Sequence, residues 1–383
     1  MTATWIAAHR AAVIDPHLGF SLFEPRGFTD QTVRQSLRLA GGGEALRVHL
    51  SNRYGTQPLR IGGAHLAVRT HGSGIDPASD TPLSFSGSTT VTLAAGEETV
   101  SDPVERPVRA GQELTVSLHL PGATGLSTYT AVPYDTGYAV PGDRLTAEVL
   151  TGAQELPTGH YLTGVDVLAP EDTRIAVAFG DSWIEGAFTT PGTANSFPAQ
   201  LGRRLDRGWI VGQGISGNRL LTDGVGARLL SRVDHDVLAV PGVSHVLIHI
   251  GLNDLGLPGA QSFPEPPADI PDADTLVAGL TELAGRLRAA GLTVIGGTLG
   301  PYAGTVYDGV DTPGGQAVRR QVNDWLRGPD HPFDAVIDIA AAVADPDRPD
   351  RIRDEYNAGD GLHLNDAGAK AVADAVDLSL LKL

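Results

Sequence analysis

The chain contains no cysteine. Disulfides, thiolate metal sites and cysteine nucleophiles are therefore excluded, while the compartment stays open, because a disulfide-free protein can live anywhere. No stretch approaches the roughly 18 apolar residues that a membrane-spanning helix needs, so an integral membrane protein is not expected. Long runs of one charge are also missing, yet 45 acidic residues against 28 basic ones give a formal net charge of -17. That balance repels polyanions and argues against nucleic acid or an anionic membrane as partner. Lysine is nearly absent, with Lys370 and Lys382 alone among arginines, a bias of base composition rather than of function. The first ten residues hold no uninterrupted apolar segment before His9 and Arg10 and do not read as a secretory signal. A cytoplasmic protein is expected, with a secreted mature form as the alternative.

What is present divides the chain in two. A length of 383 residues suits two domains and an apolar content of 41% suits a sizeable core. The expected domains are 1–170 and 171–383. The first shows no helical period. Alternating segments such as Thr32–Leu39, Leu46–Leu50 and Glu113–Leu120 are separated by Gly-rich turns, which predicts an all-β sandwich or jelly-roll-like domain. Leu162 to Pro170 is expected to be the hinge. From Arg174 onward apolar strand candidates at 175–179, 209–213, 244–250, 292–298 and 334–340 alternate with helix candidates at 196–206, 272–290, 313–327 and 366–380. This is the pattern of a parallel sheet with helices on both faces. Asp272, Thr312 and Asn365 or Asp366 are suited to cap the last three helices. The Pro- and Gly-rich run Leu255 to Asp272 is too long for an idle loop and is expected to form a wall or lid of the cleft. The β-rich part is expected to pack near that cleft; sugar binding and dimerisation are the open alternatives, and the oligomeric state is not readable.

Four short segments carry the chemistry. Ile175 to Phe179 reads as a buried strand that stops at Gly180-Asp181-Ser182, and ligands of open α/β sheets bind beyond the carboxyl ends of the strands. A serine there is available as a nucleophile, although the tripeptide also reads as a simple turn. The second strand runs into Gly214-Ile-Ser-Gly217, where a glycine lets a backbone N–H approach a ligand. The third runs into Gly251-Leu-Asn253-Asp254. Asn253 can aim its amide at a developing oxyanion, or it can cap the strand end; Asp254 is expected to organise the turn. Before the last helix comes Asp360-Gly-Leu-His363, whose spacing places a carboxylate beside an imidazole. His363 would take the proton of Ser182, held in its tautomer by Asp360. Together these supply a nucleophile, a base, an orienting acid and an oxyanion hole, the set needed for acyl transfer. The Gly-x-Ser-x-Gly elbow is absent, which disfavours an ordinary α/β-hydrolase.

On these four blocks the second half resembles the SGNH hydrolases, also called the GDSL esterase/lipase family. Leu50-Ser-Asn-Arg-Tyr-Gly55 and Leu162 to Pro170 resemble actinobacterial members with an N-terminal β-rich domain. The resemblance implies a flavodoxin-like three-layer α/β/α sandwich with a five-stranded parallel sheet. It also implies a serine esterase, with Ser182 as nucleophile, His363 as base and Asp360 as its partner. The N–H groups of Ser182 and Gly217 and the Asn253 amide would form the oxyanion hole. The chain departs from the family in having Trp183-Ile184-Glu185 after the serine and Gly212 where block two often has asparagine. Trp183, a core residue in the alternative reading, and Leu252 are pocket candidates. Expected substrates are small-molecule or glycan esters, with short acyl or acetyl groups, and no metal or other cofactor is expected. Two alternatives stay open. One is an acyltransferase or thioesterase using the same site; the other is a carbohydrate-binding protein with a vestigial hydrolase half.

Overall fold

The computed structural model describes residues 2–18, 21–261 and 269–383. The chain divides into two compact units, Met1–Thr173 with Pro191–Thr193, and Arg174–Thr190 with Ala194–Leu383.

The first unit is built on two antiparallel sheets. One has four strands, in the order Ala3–Arg10, Leu162–Pro170, Leu46–Ser51 and Glu98–Val100. The other has six, with Gln31–Arg38 and Glu113–Leu120 at its centre. Alternation decides which face is buried: Leu114, Val116, Leu118 and Leu120 point inward from one strand, and Leu46, Val48 and Leu50 from another. The expected hinge, Leu162–Pro170, is instead a nine-residue strand in the middle of the four-stranded sheet. Val165, Val167 and Ala169 fill the core on one face. Asp166 is buried on the other, where Arg10 and Arg47 form ion pairs with it and His49 Nε2 lies 2.8 Å from its Oδ2. Burial alone would raise its pKa, but these partners outweigh that and hold it below the usual carboxylate range.

The second unit is a five-stranded parallel sheet: β1 (Ile175–Gly180), β2 (Trp209–Gly214), β3 (Val243–His249), β4 (Thr293–Gly297) and β5 (Ala335–Ile337). Their order is β2-β1-β3-β4-β5, the flavodoxin-like arrangement. Its helices are α1 (Ser182–Glu185), α2 (Phe197–Gly202), α3 (Leu229–Val233), α4 (Leu252–Gly256), α5 (Ala273–Ala289), α6 (Pro313–Arg327), α7 (Ile339–Val343) and α8 (Asp366–Ala375). They pack in two groups, α2 and α7 with α8, and α3 and α6 with α5, as a sheet covered on both faces requires. The capping residues are Asp272, Thr312 and Asn365, each accepting a first-turn N–H. The last strand is shorter than its apolar run suggests, because Asp338 accepts the Ala341 N–H and starts α7. The Pro-rich run begins as the end of α4 and a 3-10 turn, Leu257–Gly259; residues 262–268 lie outside the described residues.

Register sets up the site. Gly180 at the end of β1 pairs with Gly214 of β2 on one side and with His249 of β3 on the other. The three loops that follow therefore leave the sheet side by side. Between β1 and β3 the strand order reverses, which is where ligands of such sheets bind.

Candidate active site

Ser182 opens α1 directly after β1. Gly180 lets the chain turn here: a Cβ on it would meet the His249 carbonyl oxygen at 2.0 Å, so no other residue fits between the strands. Asp181 is the helix cap, and its Oδ1 accepts the Trp183 N–H at 3.1 Å. The Ser182 N–H is thus among the first-turn donors that no intrahelical carbonyl can satisfy.

His363 comes to this serine from the far end of the sequence. Its Nε2 lies 3.1 Å from Ser182 Oγ, and its Nδ1 lies 2.6 Å from Asp360 Oδ2. A carboxylate facing Nδ1 places the ring proton there and leaves Nε2 as the acceptor for the serine hydroxyl. The other oxygen of Asp360 accepts the N–H groups of Leu362 and His363 at 2.9 and 2.8 Å. The Tyr307 hydroxyl donates to Oδ2 at 3.1 Å. Burial pushes the Asp360 pKa up, but the bond and charge of His363 and the two backbone N–H groups outweigh it, leaving it at about 2. Burial and the neighbouring carboxylate push Tyr307 up to about 12, so it stays a donor. The Thr305 hydroxyl and the Val306 N–H, both donating to the Asp360 carbonyl at 2.9 Å, tie the turn to the loop after β4.

Gly217 and Asn253 arrive from the other two loops. Gly217 has φ of +78°, a conformation that suits glycine. Asn253, in the first turn of α4, donates through Nδ2 to the Asn218 carbonyl at 3.0 Å, which brings its amide against the loop that carries Gly217. Asp254 is buried, and its two oxygens accept the N–H groups of Leu220 and Leu221 at 2.8 and 3.0 Å. It therefore organises the neighbouring loop rather than its own turn. Burial, only partly offset by those bonds and by Arg219, raises its pKa to about 6.

Some residues that hold this arrangement left no trace in the sequence patterns. The Asn218 amide donates to the Val225 and Ala227 carbonyls, and its Oδ1 accepts from Arg232. Glu185 accepts both the N–H and the hydroxyl of Ser216 at 2.6 Å, tying α1 to the loop after β2. The two pocket candidates are both buried. Trp183 is 6% exposed, stacks on His249 at 4.8 Å between ring centroids, and donates from its indole to the Leu362 carbonyl at 3.1 Å. Leu252 is buried at the start of α4. His249 is 1% exposed, with Nδ1 3.3 Å from Asp181 Oδ1, so it backs the helix cap. Tyr307 and Phe188 sit in loops with no periodicity or spacing to mark them. Among the described residues no cluster of His, Asp or Glu has the makings of a metal site.

A serine, an imidazole and a carboxylate lie in a hydrogen-bonded row on the rim of this flavodoxin-like sheet, and the family pattern that this unit matches makes the protein a carboxylic ester hydrolase. The pattern of the GDSL-like lipase/acylhydrolase family matches residues 178–371, half of the chain, and the chain belongs to that family. No curated protein matches it. Solved structures that resemble it include a G-D-S-L family protein from Desulfitobacterium hafniense, 22% identical over 53% of this chain and 97% of that one, with a TM-score of 0.39. A GDSL-like lipase from Bacteroides thetaiotaomicron is 16% identical over 55% and 88%, with a TM-score of 0.41. The carbohydrate acetylesterase Est24 from Sinorhizobium meliloti is 17% identical over 53% and 96%, with a TM-score of 0.37.

Proposed function

We propose that this ester hydrolase works through Ser182, His363 and Asp360, with an oxyanion hole made by the N–H groups of Ser182 and Gly217 and the amide of Asn253. The reading rests on one observation, the row of hydrogen bonds from Ser182 Oγ through His363 to Asp360. Ser182 Oγ attacks the acyl carbon while its proton passes to His363 Nε2. The negative charge on the former carbonyl oxygen is held by the three donors. As the bond from the acyl carbon to the alcohol oxygen breaks, His363 returns the proton to that oxygen and the alcohol leaves. Water then attacks the acyl carbon, giving a proton to His363; the bond from that carbon to Ser182 Oγ breaks, His363 returns the proton to Oγ, and the acid leaves with the serine restored. Asp360 stays ionised throughout and stabilises the imidazolium.

The substrates are small-molecule or glycan esters with short acyl groups. A fluorophosphonate probe should label the protein, with labelling lost in Ser182→Ala and His363→Ala. Absence of labelling in the wild type sinks the assignment. A series of p-nitrophenyl esters should give its highest kcat/KM at acetate to butyrate; a maximum at longer chains overturns the acyl preference.

A further inference from the structure

Phe188 is unusual in three independent ways. Its φ is +68°, a region that bulky residues rarely occupy and that persists only where the surroundings impose it. Its ring stacks on the His363 imidazole, with centroids 4.5 Å apart and an interplanar angle of 14°. It is nevertheless 55% exposed. The loop that carries it is pinned at both ends. Gly186 accepts the Thr189 N–H on its carbonyl, and the Thr190 N–H and hydroxyl and the Asn195 amide all donate to the carboxylate of Asp366, three residues beyond His363. The chain thus holds a large apolar ring against the imidazole while leaving much of its surface open to a ligand.

Four large apolar side chains are exposed among the described residues, and two of them, Phe188 and Val306, flank this one turn; Val306 is 68% exposed and its N–H is bonded to the Asp360 carbonyl. Their position relative to the reaction follows from the proton path. The leaving oxygen has to reach His363 Nε2, whereas the carbonyl oxygen turns toward Gly217 and Asn253. The group attached to the leaving oxygen therefore passes beside His363, and Phe188 covers that ring. Neither the Phe188 nor the Val306 side chain can hydrogen-bond, and the Tyr307 hydroxyl is engaged by Asp360.

We propose that Phe188 is a specificity-determining residue that receives the alcohol side of the ester and favours alcohols carrying an aromatic ring. The proposal rests on the triad reading given above. The flat face beside the imidazole accepts a second ring by offset or edge-to-face packing, and the left-handed backbone keeps that face in place before substrate arrives.

The test compares benzyl acetate with ethyl acetate, which share the acyl group and an alkyl alcohol oxygen and differ in the ring. In Phe188→Ala the ratio of kcat/KM for benzyl over ethyl acetate should fall about tenfold, mainly through KM, since the ring binds ground state and transition state alike. Phe188→Leu, apolar but without the flat face, should recover less than half of the lost ratio. Fluorophosphonate labelling of each variant reports that Ser182 and its fold are intact. An equal loss on both esters would mean that Phe188 only steadies His363, and an unchanged ratio would mean that the alcohol does not touch it; either overturns the assignment while leaving the triad standing. A wild type that is neither labelled nor active on the two esters would instead remove the triad reading and this proposal with it.

Discussion

Asp254→Asn should change how the stability of the α/β unit depends on pH. The wild-type carboxyl is buried, with its two oxygens bonded to the Leu220 and Leu221 N–H groups. Burial raises its pKa from 3.8 to about 6. The native state therefore binds more protons than the unfolded state between those two values. Stability contributed by this group is fully present below 3.8 and is lost as pH rises through about 6. A shift of about two units corresponds to about 3 kcal/mol. Asparagine carries no such proton, so the stability difference between variant and wild type should move by about 2.5 kcal/mol in favour of the variant between pH 4 and pH 7.5, the part of the shift that falls within that range. Other titrating groups cancel in that difference where they do not touch residue 254. Urea unfolding followed by tryptophan fluorescence suits the measurement, because Trp183, Trp209 and Trp325 belong to this unit and Trp5 to the other. With a slope of about 2 kcal/mol per molar, the relative midpoint should move by about 1.2 M. A difference that stays flat across this range would refute the reasoning, since it would mean that Asp254 keeps the same protonation on folding.

Asn253→Ala should lower kcat by about 10²- to 10³-fold with little change in KM, the effect of removing one oxyanion donor; steady-state kinetics on a p-nitrophenyl ester would show it, and a KM effect alone would assign the amide to ground-state binding. Trp183→Phe keeps an aromatic ring against His249 but removes the bond to the Leu362 carbonyl. It should cost about 1 kcal/mol in urea unfolding and lower kcat severalfold by loosening the turn that ends in His363; full activity would show that this bond does not position the histidine.

Much of the fold was readable because parallel strands buried on both faces appear as continuous apolar runs, and because helix starts have chemical markers. Ile175 to Phe179 and the cap at Thr312 fall where those rules put them. The rules failed where a segment obeyed two patterns at once. Leu162 to Pro170 lies where the strand-rich pattern gives way to the α/β one and so reads as a hinge, and only its pairing with two neighbours makes it a strand. The apolar run at 334–340 was cut short by Asp338, a cap whose partner lies three residues ahead.

The sequence by itself determined the chemical inventory of this protein. Residue types and short spacings placed a serine after the first strand of the sheet, an asparagine after the third, and an aspartate three residues before a histidine, and a three-residue offset is short enough for local backbone geometry to join its ends. It also excluded thiol chemistry outright, since no cysteine is there to perform it. Only the tertiary structure decided what surrounds that inventory. The 3.1 Å approach of residues 182 and 363 depends on the register of the strands and on the packing that fixes the loops at their ends. The hydroxyl of Tyr307 on Asp360, the grip of Asp254 on Leu220 and Leu221, and the ring of Phe188 on His363 all join residues far apart along the chain. Such contacts have no period or spacing along the chain, because what brings them together is the sheet and not the sequence between them.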